Sequence, residues 1–204
     1  METNIKFLLW DFDGVLMNSN EIRDLGFFEV LKSYPQEQVE KLMKYHQANG
    51  GLSRYVKFRY FFEQIRNEEI TEEQVQELAT SFSEIMISLL TNADLLIAET
   101  VSYVKENFQK IPMHIVSGSD GNELRFLCES LGISQYFISI GGSPTPKKQL
   151  VKDLLQDYKY DTGSCALVGD SINDYDAAHV NNIHFVGYGN DEIKKYSTID
   201  FNLK

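Results

Sequence analysis

Apolar positions along this chain follow two alternating rhythms. Short continuous runs, rich in β-branched and aromatic residues, recur at 5–10, 113–116, 137–140, 165–168 and 183–186, and each ends at Gly, Ser or Asp. Runs of that length with little polar alternation suit parallel strands buried on both faces. Between the later runs the period becomes helical, over 120–131 with Gly132 as a stop, over 147–158 and over 171–180. Strands alternating with helices predict an α/β fold with an open, Rossmann-like parallel sheet. Ligands of such sheets bind beyond the carboxyl ends of the strands.

Residues 16–92 break this alternation. Amphipathic segments near 23–34, 35–48, 53–65 and 72–90 follow one another with no convincing strand between them. Thr71 and Gln74 form a capping-box start for the last of these. The pattern predicts an inserted α-helical bundle at 17–92, set over a core made of 1–16 and 93–204. No internal repeat or low-complexity tract is present.

Composition narrows the function classes. The 204 residues carry a formal net charge of -11, which argues against a nucleic-acid partner but not against an anionic small molecule met by a metal and local cations. No apolar run reaches the roughly 20 residues of a membrane span, and no secretory signal pattern opens the chain, so a cytoplasmic protein without a membrane partner is expected. The two cysteines, Cys128 and Cys165, sit in apolar contexts that suit buried reduced thiols. Nothing marks an oligomer, and a monomer is the default.

Four groups carry candidate chemistry. Asp11-Phe12-Asp13-Gly14 follows the first run; alternation sends both carboxylates the same way, and Gly14 allows a sharp turn. Paired acids divide naturally into a nucleophile and a proton carrier. Asp170 and Asp174 follow the fourth run about one helical turn apart, and carboxylates converging with the first pair would suit magnesium. Ser117 and Gly118, at a strand-to-helix turn, offer a hydroxyl and backbone N–H groups to a phosphate oxygen. Lys147 and Lys148 place a cation at a helix start that would ordinarily prefer anions.

In this order the four groups resemble the haloacid dehalogenase-like hydrolase superfamily, over essentially the whole chain. The resemblance implies a phosphatase branch with a helical cap after the first strand, like phosphoglycolate phosphatases and β-phosphoglucomutases. It further implies Asp11 as nucleophile and Asp13 as general acid/base. Magnesium would be held by the Asp11 carboxylate, the Asp13 carbonyl and Asp170, with Asp174 supporting. Ser117, Gly118 and Lys147 would take the phosphoryl group, Lys147 being preferred to Lys148 from the spacing to Leu150 and Val151. The Gly50-Gly51-Leu52-Ser53-Arg54 run looks like a substrate-contacting cap loop, with Arg54 on the substrate; Lys57 and Arg59 are weaker candidates.

The expected activity is hydrolysis of a small phosphorylated metabolite through an aspartyl-phosphate. A sugar phosphomutase using the same intermediate is the alternative, and a non-catalytic phospho-ligand binder a remote one. A dehalogenase would lack Asp13. A phosphonatase would need a Schiff-base lysine in the cap, and the sequence singles out none. A receiver-like signalling domain would place its phospho-accepting acid after the third strand.

Overall fold

The structure, a computed structural model, describes residues 5–201. Its strands are β1 (Phe7–Trp10), β2 (Met113–Asp120), β3 (Ser139–Ser143), β4 (Cys165–Gly169) and β5 (His184–Gly187), forming one sheet in the order β3-β2-β1-β4-β5. Every ladder is parallel, and β1 is central, pairing Leu8 with Met113 on one side and with Ala166 on the other. The chain winds outward from β1 through β2 to β3, then crosses back to β4. The reversal leaves a crevice at the carboxyl end of β1, where such sheets bind ligands.

Period two explains the two cores. Leu8 and Trp10 point into one apolar cluster with Ile115, Leu124 and Val168. Leu9, between them, points into the other with Val116, Leu167, Ala177 and Phe185. Leu8, Leu9 and Trp10 are fully buried, and Phe7 is half-buried. The helices of the insert are α1 (Asn20–Val30), α2 (Gln36–Ala48), α3 (Arg54–Tyr60) and α4 (Glu72–Leu90). Those of the sheet layer are α5 (Ala98–Asn107), α6 (Gly121–Ser130), α7 (Lys147–Asp157), α8 (Ile172–Val180) and the short α9 (Asp191–Lys194). None is long and apolar enough to cross a membrane.

The insert is a bundle with its own aromatic centre. Phe27, Phe58 and Phe82 meet at centroid distances of 4.7 to 6.3 Å. Gly26 lets α1 approach α4, since a Cβ there would fall 2.6 Å from the Met86 Cε. The capping box forms at Thr71 and Gln74. α3 widens after Tyr60 into a π-helical turn over Phe61–Arg66 and ends on Asn67, at φ 54°.

Three elements differ from the sequence expectation, among them β3, which spans Ser139–Ser143 where the apolar run covers 137–140. β2 runs to Asp120, four residues past its apolar stretch, because the polar segment stays extended beside β3 after a register shift. α5 has no strong amphipathic signature; tertiary contacts secure it, with Val101 and Val104 buried and the Thr100 hydroxyl donating to the Val15 carbonyl at 2.6 Å. Cys128 and Cys165 are buried and unpaired.

Candidate active site

The pairing of β1 with β4 continues for one residue, with the Asp11 amide donating to the Val168 carbonyl at 2.9 Å. The chain then turns: the Phe12 carbonyl accepts from Leu16 and Met17 at 2.9 and 3.0 Å. Gly14 is needed in that turn twice over. Its φ is +74°, and a Cβ there would lie 1.9 Å from Oδ2 of Asp170. Absence of a side chain therefore lets the acid from the end of β4 close on the acid from the end of β1.

Asp11, Asp170 and Asp174 each place a carboxylate oxygen within 4.8 Å of the others. Lys147 bridges two of them: its Nζ lies 2.9 Å from Oδ1 of Asp11 and bonds Oδ1 of Asp174. The other Asp174 oxygen accepts from the Ser171 amide at 3.1 Å and its hydroxyl at 2.6 Å. Burial and the neighbouring Asp174 raise the Asp11 carboxyl well above the usual range, although Lys147 pulls it down. Burial and Asp174 likewise push Asp170 up to about 6, against a 3.1 Å hydrogen bond from Asn20. Burial alone would lower the Lys147 ammonium; Asp11 and Asp174 hold it above its ordinary value. Three convergent carboxylates with one ammonium, shared by Asp11 and Asp174, leave excess negative charge. That donor set suits a hard divalent cation.

Asp13 lines the same cavity with different partners. Its carboxylate accepts from Nε of Arg23 at 2.9 Å and from the hydroxyls of Ser19 and Ser119. Burial would raise this carboxyl, but Arg23 and the two hydroxyls hold it below the usual range. The two acids of the Asp11-Phe12-Asp13 motif thus sit in opposite electrostatic settings, which is how a protein assigns two carboxyls separate tasks.

Ser117 is buried beside them, its Oγ accepting from the Ser119 amide at 3.1 Å. Gly118 is capped by the α2–α3 loop; a Cβ there would meet the Gly51 carbonyl at 2.1 Å. That loop is tied to the sheet layer by Asn173, whose side-chain amide donates to the Gly50 carbonyl. The two lysines separate clearly. Lys147 is buried in the acid cluster, whereas Lys148 lies at the surface against Asp176 at 3.2 Å.

A cavity of about 480 Å³ joins these groups to the bundle. Arg54 lines it, yet its guanidinium is occupied, by Glu123 at 2.7 Å, by the Ser83 hydroxyl at 2.7 Å and by the Phe82 ring at 4.3 Å. Arg59 lies outside, paired with Glu72.

Sequence reasoning missed several lining groups. Ser119 was findable, since it lies two residues from Ser117 in an extended segment and shares its face. Arg23 and its buried partner Glu123 carried no local signal, because they lie 100 residues apart. Lys57 stood in the sequence as a weaker candidate, and what was not readable was its contact with His46.

A parallel sheet with a helical insert and an acidic cluster at the carboxyl end of β1 places the site where open α/β folds bind their ligands. The family model for haloacid dehalogenase-like hydrolases matches residues 8–188. The chain belongs to that family. No curated protein matches it in sequence. Among solved structures, a β-phosphoglucomutase from Clostridium difficile is similar with a TM-score of 0.76 at 18% identity, covering 95% of this chain and 88% of that one. A predicted phosphoglycolate phosphatase from Haemophilus somnus 129PT has a TM-score of 0.70 at 21% identity, covering 92% and 86%. CbbY from Rhodobacter sphaeroides, in complex with xylulose-(1,5)bisphosphate, has a TM-score of 0.73 at 15% identity, covering 95% and 88%. At these identities the similarity is one of fold.

Proposed function

We propose that the protein is a Mg2+-dependent phosphohydrolase that cleaves a small phosphate monoester through an aspartyl-phosphate on Asp11. The supporting observation is the division of the acids: Asp11 shares Lys147 with Asp174, while Asp13, on the same cavity, is held by Arg23.

In this reading a carboxylate oxygen of Asp11 attacks phosphorus, and the bond from phosphorus to the ester oxygen breaks. Asp13 must carry a proton when the ester bond breaks, a form that the approach of the anionic substrate favours, and it gives that proton to the departing alkoxide. It then takes a proton from the water that attacks the acyl-phosphate, releasing inorganic phosphate and restoring Asp11. The Arg23 contact favours ionised Asp13, the form that accepts this proton. Ser117, the Gly118 amide and Lys147 bind the phosphoryl oxygens. Asp11, Asp170 and the Asp13 carbonyl would hold the metal; both Asp174 oxygens are taken by Lys147 and Ser171, so Asp174 acts by positioning them. When bound, the ion supplies positive charge to the transferring phosphoryl group. Residues 17–92 serve as a cap that limits water access, and Arg54 belongs to the substrate-facing wall.

One observation favours a second reading. The Gly50-Gly51 loop lies directly on the Ser117-Gly118 turn, and a covered aspartyl-phosphate could outlive one encounter with water. A sugar phosphomutase would use the same acids. Hydrolysis of p-nitrophenyl phosphate with Mg2+ tests the first reading, with Asp11→Asn expected to abolish turnover. Wild-type turnover by Asp11→Asn would exclude the covalent route. Conversion of hexose 1-phosphates to 6-phosphates, instead of release of free phosphate, would select the mutase.

A further inference from the structure

Three cations line the cavity beyond the acids: Arg23, Arg54 and Lys57. The two guanidiniums are already neutralised, Arg23 by Asp13 and Glu123, and Arg54 by Glu123. Lys57 differs. It is 3% exposed and makes no ion pair among the described residues. Its hydrogen bond goes to Nδ1 of His46 at 2.6 Å, and Nε2 of His46 lies 2.8 Å from Oδ1 of Asp24.

That chain fixes the roles. The Nε2–H of a neutral imidazole donates to Asp24, which leaves Nδ1 as an acceptor for the ammonium. An ammonium carries three N–H donors, and His46 accepts only one of them. The Phe27 ring, 5.8 Å from Nζ, closes one side against water. Nη2 of Arg23 is also buried without a hydrogen-bond partner among the described residues.

We infer that Lys57 is the specificity-determining contact for the leaving part of the substrate, where, with Nη2 of Arg23, it receives an anionic group: a carboxylate or a second phosphoryl. This rests on the phosphohydrolase reading and deepens it by naming the substrate class.

The electrostatics agree. A buried ammonium facing a neutral imidazole lacks the countercharge that buried ions require. Burial pushes Lys57 down to about 7. Asp13 and Asp24 oppose that fall, while Arg23 and Arg54 reinforce it. His46, pushed down to about 4 by burial and by Lys57, adds no charge at neutral pH. An incoming anion supplies what is missing, whereas a neutral hydroxyl would leave the ammonium uncompensated. His46 cannot be the receiving group, because both of its ring nitrogens are occupied.

The test is calorimetric titration of the full chain, with Mg2+ in excess, by three non-hydrolysable probes. Phosphonoacetate carries a carboxylate, propane-1,3-bisphosphonate carries a second phosphoryl, and ethylphosphonate carries neither. At least one anionic probe is expected to bind about 10- to 100-fold more tightly than ethylphosphonate, and which one it is identifies the source of the charge. The preference should weaken as pH rises above 7, vanish in Lys57→Met and persist in Lys57→Arg, which keeps the cation and reports on folding. Equal affinity for all three probes, or a preference that survives Lys57→Met, overturns the inference. Because binding is read instead of turnover, failure of the phosphohydrolase reading shows separately, as absence of p-nitrophenyl phosphate hydrolysis.

Discussion

The Lys147 ammonium lies 2.9 Å from Oδ1 of Asp11 while bonding Oδ1 of Asp174, so one buried cation serves an acid from the end of β1 and another from α8. Removing it strands two carboxylates in a site with little water. Lys147→Met is expected to lower stability by about 3–5 kcal/mol, the range for breaking a buried pair by removing one partner. Turnover should fall at least about 100-fold, because charge on the phosphoryl oxygens goes unmatched. Urea denaturation and single-turnover rates check the two effects.

Magnesium should stabilise the fold. Asp11 and Asp170 are both held above the usual carboxylate range, which reflects burial and mutual repulsion that a cation would relieve. At about 100 times its dissociation constant, a ligand specific to the native state adds about 2.7 kcal/mol. For a chain of this size that corresponds to a melting shift of roughly 5–10 °C. EDTA should reverse the shift, and Asp170→Asn should remove most of it, as scanning calorimetry would show.

Gly118→Ala probes closure of the insert over the sheet. A Cβ at that position falls 2.1 Å from the Gly51 carbonyl, backbone that belongs to the α2–α3 loop. The loop must withdraw to make room, which disturbs closure more than folding. Melting temperature should change by only a few degrees, while kcat/KM for p-nitrophenyl phosphate falls about 10- to 100-fold, a size expected when a closing loop is displaced by about 1 Å. Unaltered kcat/KM would mean that this contact is not needed for catalysis.

Acid should destabilise the protein through buried histidines. Burial pushes both His114 and His46 down to about 4. His114 is fully buried between the Ser139 and Tyr160 hydroxyls, at 2.7 and 3.0 Å. The unfolded chain takes up these protons near pH 6.5, and the folded chain only near 4. Stability contributed by the neutral rings is therefore intact above about 6.5 and lost as pH falls toward 4. The loss should be about 3 kcal/mol for each ring. His114→Gln should flatten part of that slope in denaturant melts taken from pH 7 to 4.5.

Much of the framework was readable because it depends on local pattern. The apolar run before Asp11 became the central strand, and the segment 72–90 became α4 with the bounds expected. Asp11, Asp13, Ser117, Lys147, Asp170 and Asp174 all converge, since each follows an apolar run or opens a helix at a place that sequence punctuation marks. The wall of the cavity was not readable. Arg23 meets Glu123 across 100 residues, and Lys57 meets His46 across a turn between helices. Neither pairing leaves a period or a motif. Arg54 stood out in sequence as a cation beside a double glycine, but nothing local showed that Glu123 would occupy it.

Glu123 joins α6 of the sheet layer to α1 and α3 of the insert, with one arginine on each carboxylate oxygen. Opening the insert cannot loosen this joint by degrees, because a half-withdrawn arginine leaves charge in a space too dry to solvate it. In the proposed cap role, opening would therefore be two-valued: either both guanidiniums sit on Glu123 and Arg23 on Asp13, or water floods in and all four ions are hydrated together. Such a latch makes closure an electrical event as much as a steric one. Added salt, by screening the hydrated ions, should lengthen the time the insert stays open.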